Sequence, residues 1–172
     1  MRRCSECSGR RLAFGSARAA IVYDEHARSL VREWKERGRR RLAAEAAGLV
    51  AEVVTAPEVG VLTYVPGDPD RALRRGDVAP RSLARALGRE WSLPTAELLR
   101  RRVRVARQRG LGLAERRLNV RGSVAAVAAP PSVVGLVDDV YTSGATADAC
   151  ATALRRAGAR RVEVVTLARA VR

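Results

Sequence analysis

The chain has 172 residues, of which 47% are hydrophobic and 30% are charged. This length corresponds to one domain with a small appendage, and the composition excludes a wholly disordered chain. The 33 basic and 18 acidic residues give a net charge of +15, and Lys35 is the single lysine. A positive field of this kind favours polyanionic ligands such as nucleic acids or polyphosphates.

The sequence contains no candidate membrane helix, which would need about 18 consecutive apolar residues. The longest apolar run, residues 124–137, is interrupted by Pro130, Pro131 and Ser132. The first residues form no hydrophobic segment of the kind that directs export. We therefore expect a cytoplasmic protein with no membrane insertion.

Three cysteines in an unexported chain favour metal binding, redox chemistry or burial over a disulfide framework. Cys4 and Cys7 form one Cys-x-x-Cys pair, which is half of the four-ligand set of structural zinc. The alternative to this half zinc site is a reduced amino-terminal tail. Cys150 shares a predicted apolar helix face with Ala147 and Leu154, so we predict that it packs in the core.

The first half of the chain alternates strand and helix patterns. An apolar run at 19–23 predicts a strand, and Asp24 is placed to cap a helix that stops near Gly38. Helical spacing of apolar residues predicts a second helix over 40–54, and the apolar run at 61–65 is typical of a strand buried on both faces.

The second half continues this alternation. A helix with Pro80 in its first turn is predicted to end before Pro94, and the closing unit is strand, polar loop, helix and strand. The predicted segments are a strand at 98–105, helical turns at 113–120, strands at 123–127 and 133–137, a helix at 144–157 ended by Gly158, and a strand at 162–168. The pattern predicts an α/β fold: an open, mostly parallel twisted sheet with helices on both faces.

The segment with the clearest chemistry follows the strand predicted at 133–137. Asp138 and Asp139 stand at the carboxyl end of that strand, where open α/β sheets bind their ligands. The loop after them leads into a helix, and backbone N–H groups at a helix start favour a phosphate. Its members are Thr142, Ser143, Gly144, Ala145 and Thr146. Adjacent carboxylates beside a phosphate suit the hydroxyls of a ribose 5-phosphate and Mg²⁺.

This run resembles the phosphoribosyl diphosphate binding motif of type I phosphoribosyltransferases. The resemblance covers the apolar strand, both acids and the Thr-Ser-Gly-Ala-Thr loop. It implies that Asp138 and Asp139 contact the ribose hydroxyls, and that the five loop residues from Thr142 to Thr146 cradle the 5-phosphate. It also implies a Mg²⁺-dependent transferase. Where some purine-using relatives carry an acidic general base in this motif, the chain has Thr142.

The wider sequence resembles one subgroup, the ComF or GntX-like proteins associated with competence for DNA uptake. The landmarks occur in order along nearly the whole chain: Tyr23-Asp24, Lys35-Glu36-Arg37-Gly38, Leu73-Arg74-Arg75-Gly76 and the segment 113–122. That family begins with a zinc ribbon, so the resemblance implies a degenerate or truncated ribbon at 1–17 and a phosphoribosyltransferase-like domain at 18–172. Two positions depart from its pattern: Gly76-Asp77-Val78-Ala79 replaces Gly-Phe-Asn-Gln, and Glu36 replaces an aromatic residue.

A transferase of this kind must also hold the departing pyrophosphate. Pro66 and Gly67 follow a strand at the position where related enzymes have their pyrophosphate loop. Residues 98–122 hold nine arginines against Glu115, and this segment is a candidate lid whose cations offset charge on the leaving group. Its candidate arginines are Arg109, Arg116 and Arg117. We predict that the catalytic residues are Asp138, Asp139, Arg116 and Arg117.

Two alternatives to an enzyme are open. One is a nucleic-acid-binding protein that neutralises the phosphates of single-stranded DNA with residues 98–122, although six aromatic residues offer little for base stacking. The other, implied by the family resemblance, is docking of a helicase-like competence partner on the helix at 27–34. His26 lies on the polar side of that helix and is not predicted to be catalytic.

Overall fold

The computed structural model describes residues 11–37, 40–67, 79–102 and 123–171. In this part of the chain, strands and helices alternate as the sequence predicts. The elements are β1 (Ser16–Val22), α1 (Glu25–Arg37), α2 (Arg40–Val53), β2 (Val61–Tyr64), α3 (Ala79–Glu90), β3 (Leu99–Arg101), β4 (Val124–Ala126), β5 (Val133–Tyr141), α4 (Ala145–Arg156) and β6 (Arg161–Arg169).

Four strands form the main sheet in the order β1-β6-β5-β2, and every neighbouring pair is parallel. The carboxyl ends of the strands therefore share one edge of the sheet. The predicted α/β class and the predominance of parallel pairing are confirmed. In the described ranges, no helix is long and apolar enough to cross a membrane.

Helices cover both faces of this sheet. On one face, α1, α2 and α3 pack on a core that includes Leu62, Val137 and Leu167. On the other face, α4 and the short strand β3 pack on a core that includes Leu136 and Val164. Because side chains alternate along a strand, β2, β5 and β6 supply residues to both cores. Burial on both faces explains the continuous apolar runs of these strands.

The helices begin and end close to their predicted bounds because their signals are local. Asp24 caps α1, with its Oδ1 accepting a hydrogen bond of 2.8 Å from the N–H of Ala27. Cys150 is fully buried in α4, as predicted, and His26 is exposed on α1.

The strands β3 and β4 form a separate antiparallel pair. Leu99 opposite Ala126 begins the register, and the N–H of Arg102 donates to the carbonyl of Ser123 at its far end. The strand predicted over 98–105 spans only three residues in β3 among the described residues. β4 and β5 lie on either side of Pro130 and Pro131, and β4 pairs with β3 and not with β5.

Candidate functional site

Asp138 and Asp139 lie in the part of β5 that pairs with β6 but extends past the end of β2. β2 pairs with β5 as far as Val137, and the N–H of Val65 makes the last hydrogen bond, to the Val137 carbonyl at 2.9 Å. β6 continues alongside β5 to Tyr141. The strand predicted at 133–137 is therefore four residues too short, because pairing with β6 extends it. Asp138 and Asp139 lie within the strand, past the end of β2.

The alternation of side chains is interrupted where these acids stand. Leu136 and Tyr141 pack in the core beneath α4, while Val137 and Val140 pack against the core on the opposite face. Strict alternation would send Val137 and Val140 to different faces. The break falls at Asp138 and Asp139, so strand geometry does not force the two carboxylates to opposite sides of the sheet.

Each carboxylate accepts a hydrogen bond from the next residue's backbone. Asp138 Oδ1 accepts from the N–H of Asp139 at 2.9 Å, and Asp139 Oδ1 accepts from the N–H of Val140 at 2.8 Å. These bonds orient both carboxylates locally. Asp138 is half-buried, and Asp139 is 5% exposed. Of the two, Asp138 is the more accessible to a ligand.

The turn after β5 requires glycine at its last position. Gly144 is the N-cap of α4, with φ 72° and ψ 0°, which is the left-handed region. A Cβ there would collide with the Tyr141 hydroxyl and would lie 2.8 Å from Tyr141 Cζ. Thr142 is exposed and Ser143 is half-buried. The backbone of the turn thus passes directly over the Tyr141 ring.

The first amides of α4 carry little internal hydrogen bonding. Gly144 has no side chain to cap the helix, and the N–H of Ala145 makes a long bond of 3.4 Å to Ser143 Oγ. Within the described ranges, no hydrogen bond engages the N–H of Thr146 or Ala147. Free N–H groups at a helix start are donors for an anion, and the helix dipole adds positive potential.

The turn rests on a stack of three side chains. Phe14 meets the Tyr141 ring edge-on, with 6.3 Å between ring centroids. The Arg169 guanidinium lies over the same ring at 5.5 Å. Arg169 ends β6 and is opposite Tyr141 in the register. The stack fixes the floor of the turn and brings a cation near it.

The turn predicted as a pyrophosphate loop lies at the same edge. Val65 and Pro66 are buried after β2, and Gly67 is half-buried. Arg101 Nε donates a hydrogen bond of 3.0 Å to the Pro66 carbonyl. This bond ties the β3–β4 pair to the end of β2.

Asp138 and Arg101 influence the same buried thiol. The pKa of Cys150 is raised to about 12, chiefly by burial and in smaller part by the Asp138 carboxylate, while the Arg101 guanidinium acts in the opposite direction.

The structure brings together part of the predicted site. Asp138, Asp139, the residues 142–146 and the Pro66-Gly67 turn share the carboxyl edge of the sheet. Three sets of predicted residues lie outside the described ranges: Cys4 and Cys7, residues 68–78 with Arg74 and Arg75, and residues 103–122 with Arg109, Arg116 and Arg117. Among the described residues, no three His, Cys, Asp or Glu side chains cluster as metal ligands.

The sequence pattern gave no role to Tyr141 or Arg169, and it placed Arg101 in the candidate lid at 98–122 without a role of its own. Arg169 had a usable signal, because it ends a strand of the same parallel sheet and so reaches the same edge. Arg101 stood among nine arginines, and nothing local distinguished it from Arg100 or Arg102. Tyr141 lay inside the motif, but its packing beneath Gly144 depends on the fold.

No family model and no curated protein matches the chain. One similar solved structure is the glutamine phosphoribosylpyrophosphate (PRPP) amidotransferase from B. subtilis in complex with ADP and GMP. The two share 28% sequence identity with a TM-score of 0.49, over 72% of this chain and 26% of that protein. The chain therefore spans about a quarter of the length of that amidotransferase.

Proposed function

We propose that this chain binds phosphoribosyl diphosphate and transfers its phosphoribosyl group. The observation that carries the proposal is the end of β5, where two neighbouring carboxylates lead into a left-handed glycine and a helix start with unengaged amides. The amides of Thr146 and Ala147 hold the 5-phosphate, and the hydroxyls of Thr142 and Ser143 lie beside it. Asp138 and Asp139 accept hydrogen bonds from the ribose hydroxyls.

The same carboxylates fit Mg²⁺, because hard cations prefer oxygen ligands and Mg²⁺ is commonly held by one or two carboxylates and by substrate phosphates. Asp138 and Asp139 would hold it, directly or through water. When bound, Mg²⁺ offsets negative charge on the pyrophosphate. The chain's own part is to orient the ribose from one side and to hold the phosphate at the start of α4.

Calorimetric titration tests the proposed binding site. Phosphoribosyl diphosphate with Mg²⁺ should release heat on the native chain and little on Asp138→Asn or Asp139→Asn. Glu163→Gln is the matched control, since it removes one carboxylate that pairs with Arg161 near the amino end of β6. Equal heats for the native chain and both aspartate variants would refute the ribose contacts.

Transfer is tested separately from binding. The chain is incubated with the activated sugar, Mg²⁺ and a panel of bases, amines and nucleotides, and released pyrophosphate is assayed. We expect release with one class of acceptor and background release with Asp138→Asn. Binding without release under any condition would identify a sensor or scaffold instead of a transferase.

Three finer assignments belong to this proposal and follow the sequence resemblance. The chain is grouped with the ComF or GntX-like proteins of competence, Arg116 and Arg117 neutralise the leaving group, and Cys4 and Cys7 contribute half of a zinc site. Metal analysis of the purified chain tests the last, and alanine at Arg116 and Arg117 tests the second through pyrophosphate release. The metal analysis does not depend on the identity of the acceptor, whereas the pyrophosphate assay uses the acceptor class that the panel identifies.

A further inference from the structure

Arg101 is the one arginine of β3 that reaches the candidate site. Leu99, two residues before Arg101, is 1% exposed in the core beneath α4, and this packing anchors the short strand. Arg101 is half-buried, and its Nε donates to the carbonyl of buried Pro66 at 3.0 Å. Arg100 between them is exposed. Because side chains alternate along the strand, Arg101 faces the buried Pro66 turn while Arg100 faces solvent.

The bond from Nε leaves part of the guanidinium group for other partners. Arginine carries five N–H donors, and Nε supplies one of them. The two terminal nitrogens keep the remaining donors in a rigid fork that matches phosphate oxygens. Within the described ranges, the bond to Pro66 is the hydrogen bond that Arg101 makes. The group can thus hold the turn and still offer donors to an anion.

The turn that Arg101 holds lies beside the part of β5 that carries Asp138, because Tyr64 is paired with Val137 and the N–H of Val65 bonds the Val137 carbonyl. One region of the sheet's carboxyl edge therefore holds the Pro66 turn, the Asp138 carboxylate and the Arg101 guanidinium. The start of α4 at Gly144, with its free amides, follows β5 on the same edge.

We propose that Arg101 is a positioning residue for the pyrophosphate half of the ligand. Through Nε it holds the Pro66-Gly67 turn in place before the ligand arrives, and its charge favours an anion beside that turn. A turn that is already ordered costs less conformational entropy on binding than one that the ligand must order. This inference rests on the proposed function and adds a division of labour: Arg101 serves the pyrophosphate, and α4 serves the 5-phosphate.

The contribution of Arg101 and that of the α4 amides are distinguished by comparing the binding of two ligands. Phosphoribosyl diphosphate carries both groups, whereas ribose 5-phosphate lacks the pyrophosphate. We expect Arg101→Met to weaken binding of phosphoribosyl diphosphate about tenfold or more, as for loss of a hydrogen bond to a charged group. Its affinity for ribose 5-phosphate should change less than about twofold, because the α4 contacts remain.

Arg100→Met is the matched control, since it removes the same charge from the exposed neighbour, and it should leave both affinities unchanged. Arg101→Lys keeps the charge without the Nε donor and should recover part of the affinity for phosphoribosyl diphosphate. Amide hydrogen exchange of the ligand-free chain gives a second readout. Exchange of the Val65 and Gly67 amides should be faster in Arg101→Met and Arg101→Lys than in the native chain, and unchanged in Arg100→Met.

The outcomes distinguish the two claims. If the native chain binds neither ligand, the proposed function fails and this inference fails with it. If the native chain binds both, an equal loss of both ligands in Arg101→Met would overturn the inference alone. Full recovery by Arg101→Lys of both affinity and slow exchange would likewise overturn the role of Nε.

Discussion

At the scale of single residues, Gly144 is the described glycine at which a left-handed backbone coincides with a steric clash. Two independent constraints meet there: a left-handed backbone and direct contact with the Tyr141 ring. Either constraint alone disfavours a side chain. Together they explain why glycine stands between the exposed turn and the first residue of α4.

We predict that Gly144→Ala destabilises the fold and disturbs the turn. The left-handed backbone costs a non-glycine residue about 1–2 kcal/mol, and displacement of Tyr141 adds to this. Urea unfolding gives the free-energy change, and titration with ribose 5-phosphate gives the loss of affinity. Gly48→Ala is the control, because a Cβ there meets nothing within 4 Å and glycine is a poor residue inside a helix such as α2. A Gly144→Ala chain as stable as the native one would contradict the model of this turn.

Cys150 gives a prediction of pH dependence. Burial raises its pKa from 9.0 to about 12, so the folded chain keeps the thiol proton at a pH where the unfolded chain has lost it. The unfolded state then binds fewer protons, and stability falls as pH rises from about 9 toward 12. Cys150→Ala should reduce this fall in urea unfolding measured across that range. Tyr64, whose pKa is also raised, chiefly by burial, remains in both chains. An identical fall in the two chains would exclude Cys150 as a cause.

At the scale of elements, α3 and α4 end in the same way with different residues. In α4, Gly158 has φ 118°, and the N–H of Ala159 returns to the Leu154 carbonyl at 3.0 Å. In α3, Ser92 has φ 53°, and the N–H of Leu93 returns to the Gly88 carbonyl at 2.9 Å. This is the hydrogen-bond pattern of a Schellman motif, which favours glycine at the left-handed position.

Substitutions at the carboxyl ends of α3 and α4 should therefore change the free energy of unfolding in opposite directions. Ser92→Gly should raise the free energy of unfolding by about 1 kcal/mol, since it relieves a left-handed serine. Gly158→Ala should lower it by about the same amount, because a Cβ at Gly158 meets nothing within 4 Å and only the backbone cost applies. Thermal and urea unfolding of both variants measure the changes. Changes of the same sign in both would show that φ at these ends does not control their stability.

Helices were predictable from the sequence because their signals are local: Asp24 caps α1, and buried residues follow helical spacing in α2 and α3. β5 was predicted too short because its last four residues are held by β6, a partner distant in sequence. The pairing of β4 with β3 could not be predicted for the same reason, because it joins segments distant in sequence. In the site, the carboxylates and the glycine turn follow from the order of residues, whereas Arg101 is distinguished only by its bond to Pro66.

At the scale of the whole molecule, the net charge of +15 is the dominant electrostatic property. Like charges on a compact chain repel one another, and salt screens that repulsion, with a Debye length of about 10 Å at 0.1 M. We predict that the melting temperature rises as NaCl increases from low to moderate ionic strength. Thermal unfolding at fixed pH measures it. A melting temperature that falls with added salt would mean that attractive ion pairs outweigh the repulsion.

The charge also makes the nucleic-acid alternative testable. Affinity for single-stranded DNA through residues 98–122 should fall steeply with salt as counterions are released. It should also drop when Arg116 and Arg117 become alanine. Fluorescence anisotropy with a labelled oligonucleotide at several salt concentrations measures both effects. A flat salt response would remove this alternative.

Among the described strands, β1 comes first in the chain and lies beside β6, which comes last and also pairs with β5 in the middle of the sheet. A growing polypeptide thus cannot complete its sheet until residues 161–169 have emerged from the ribosome. Until then β1 and β5 lack the strand that joins them, and their apolar faces are open to association with other chains. Residues 161–169 therefore complete the sheet, so a chain truncated before residue 161 would leave β1 without its partner and one edge of β5 unpaired.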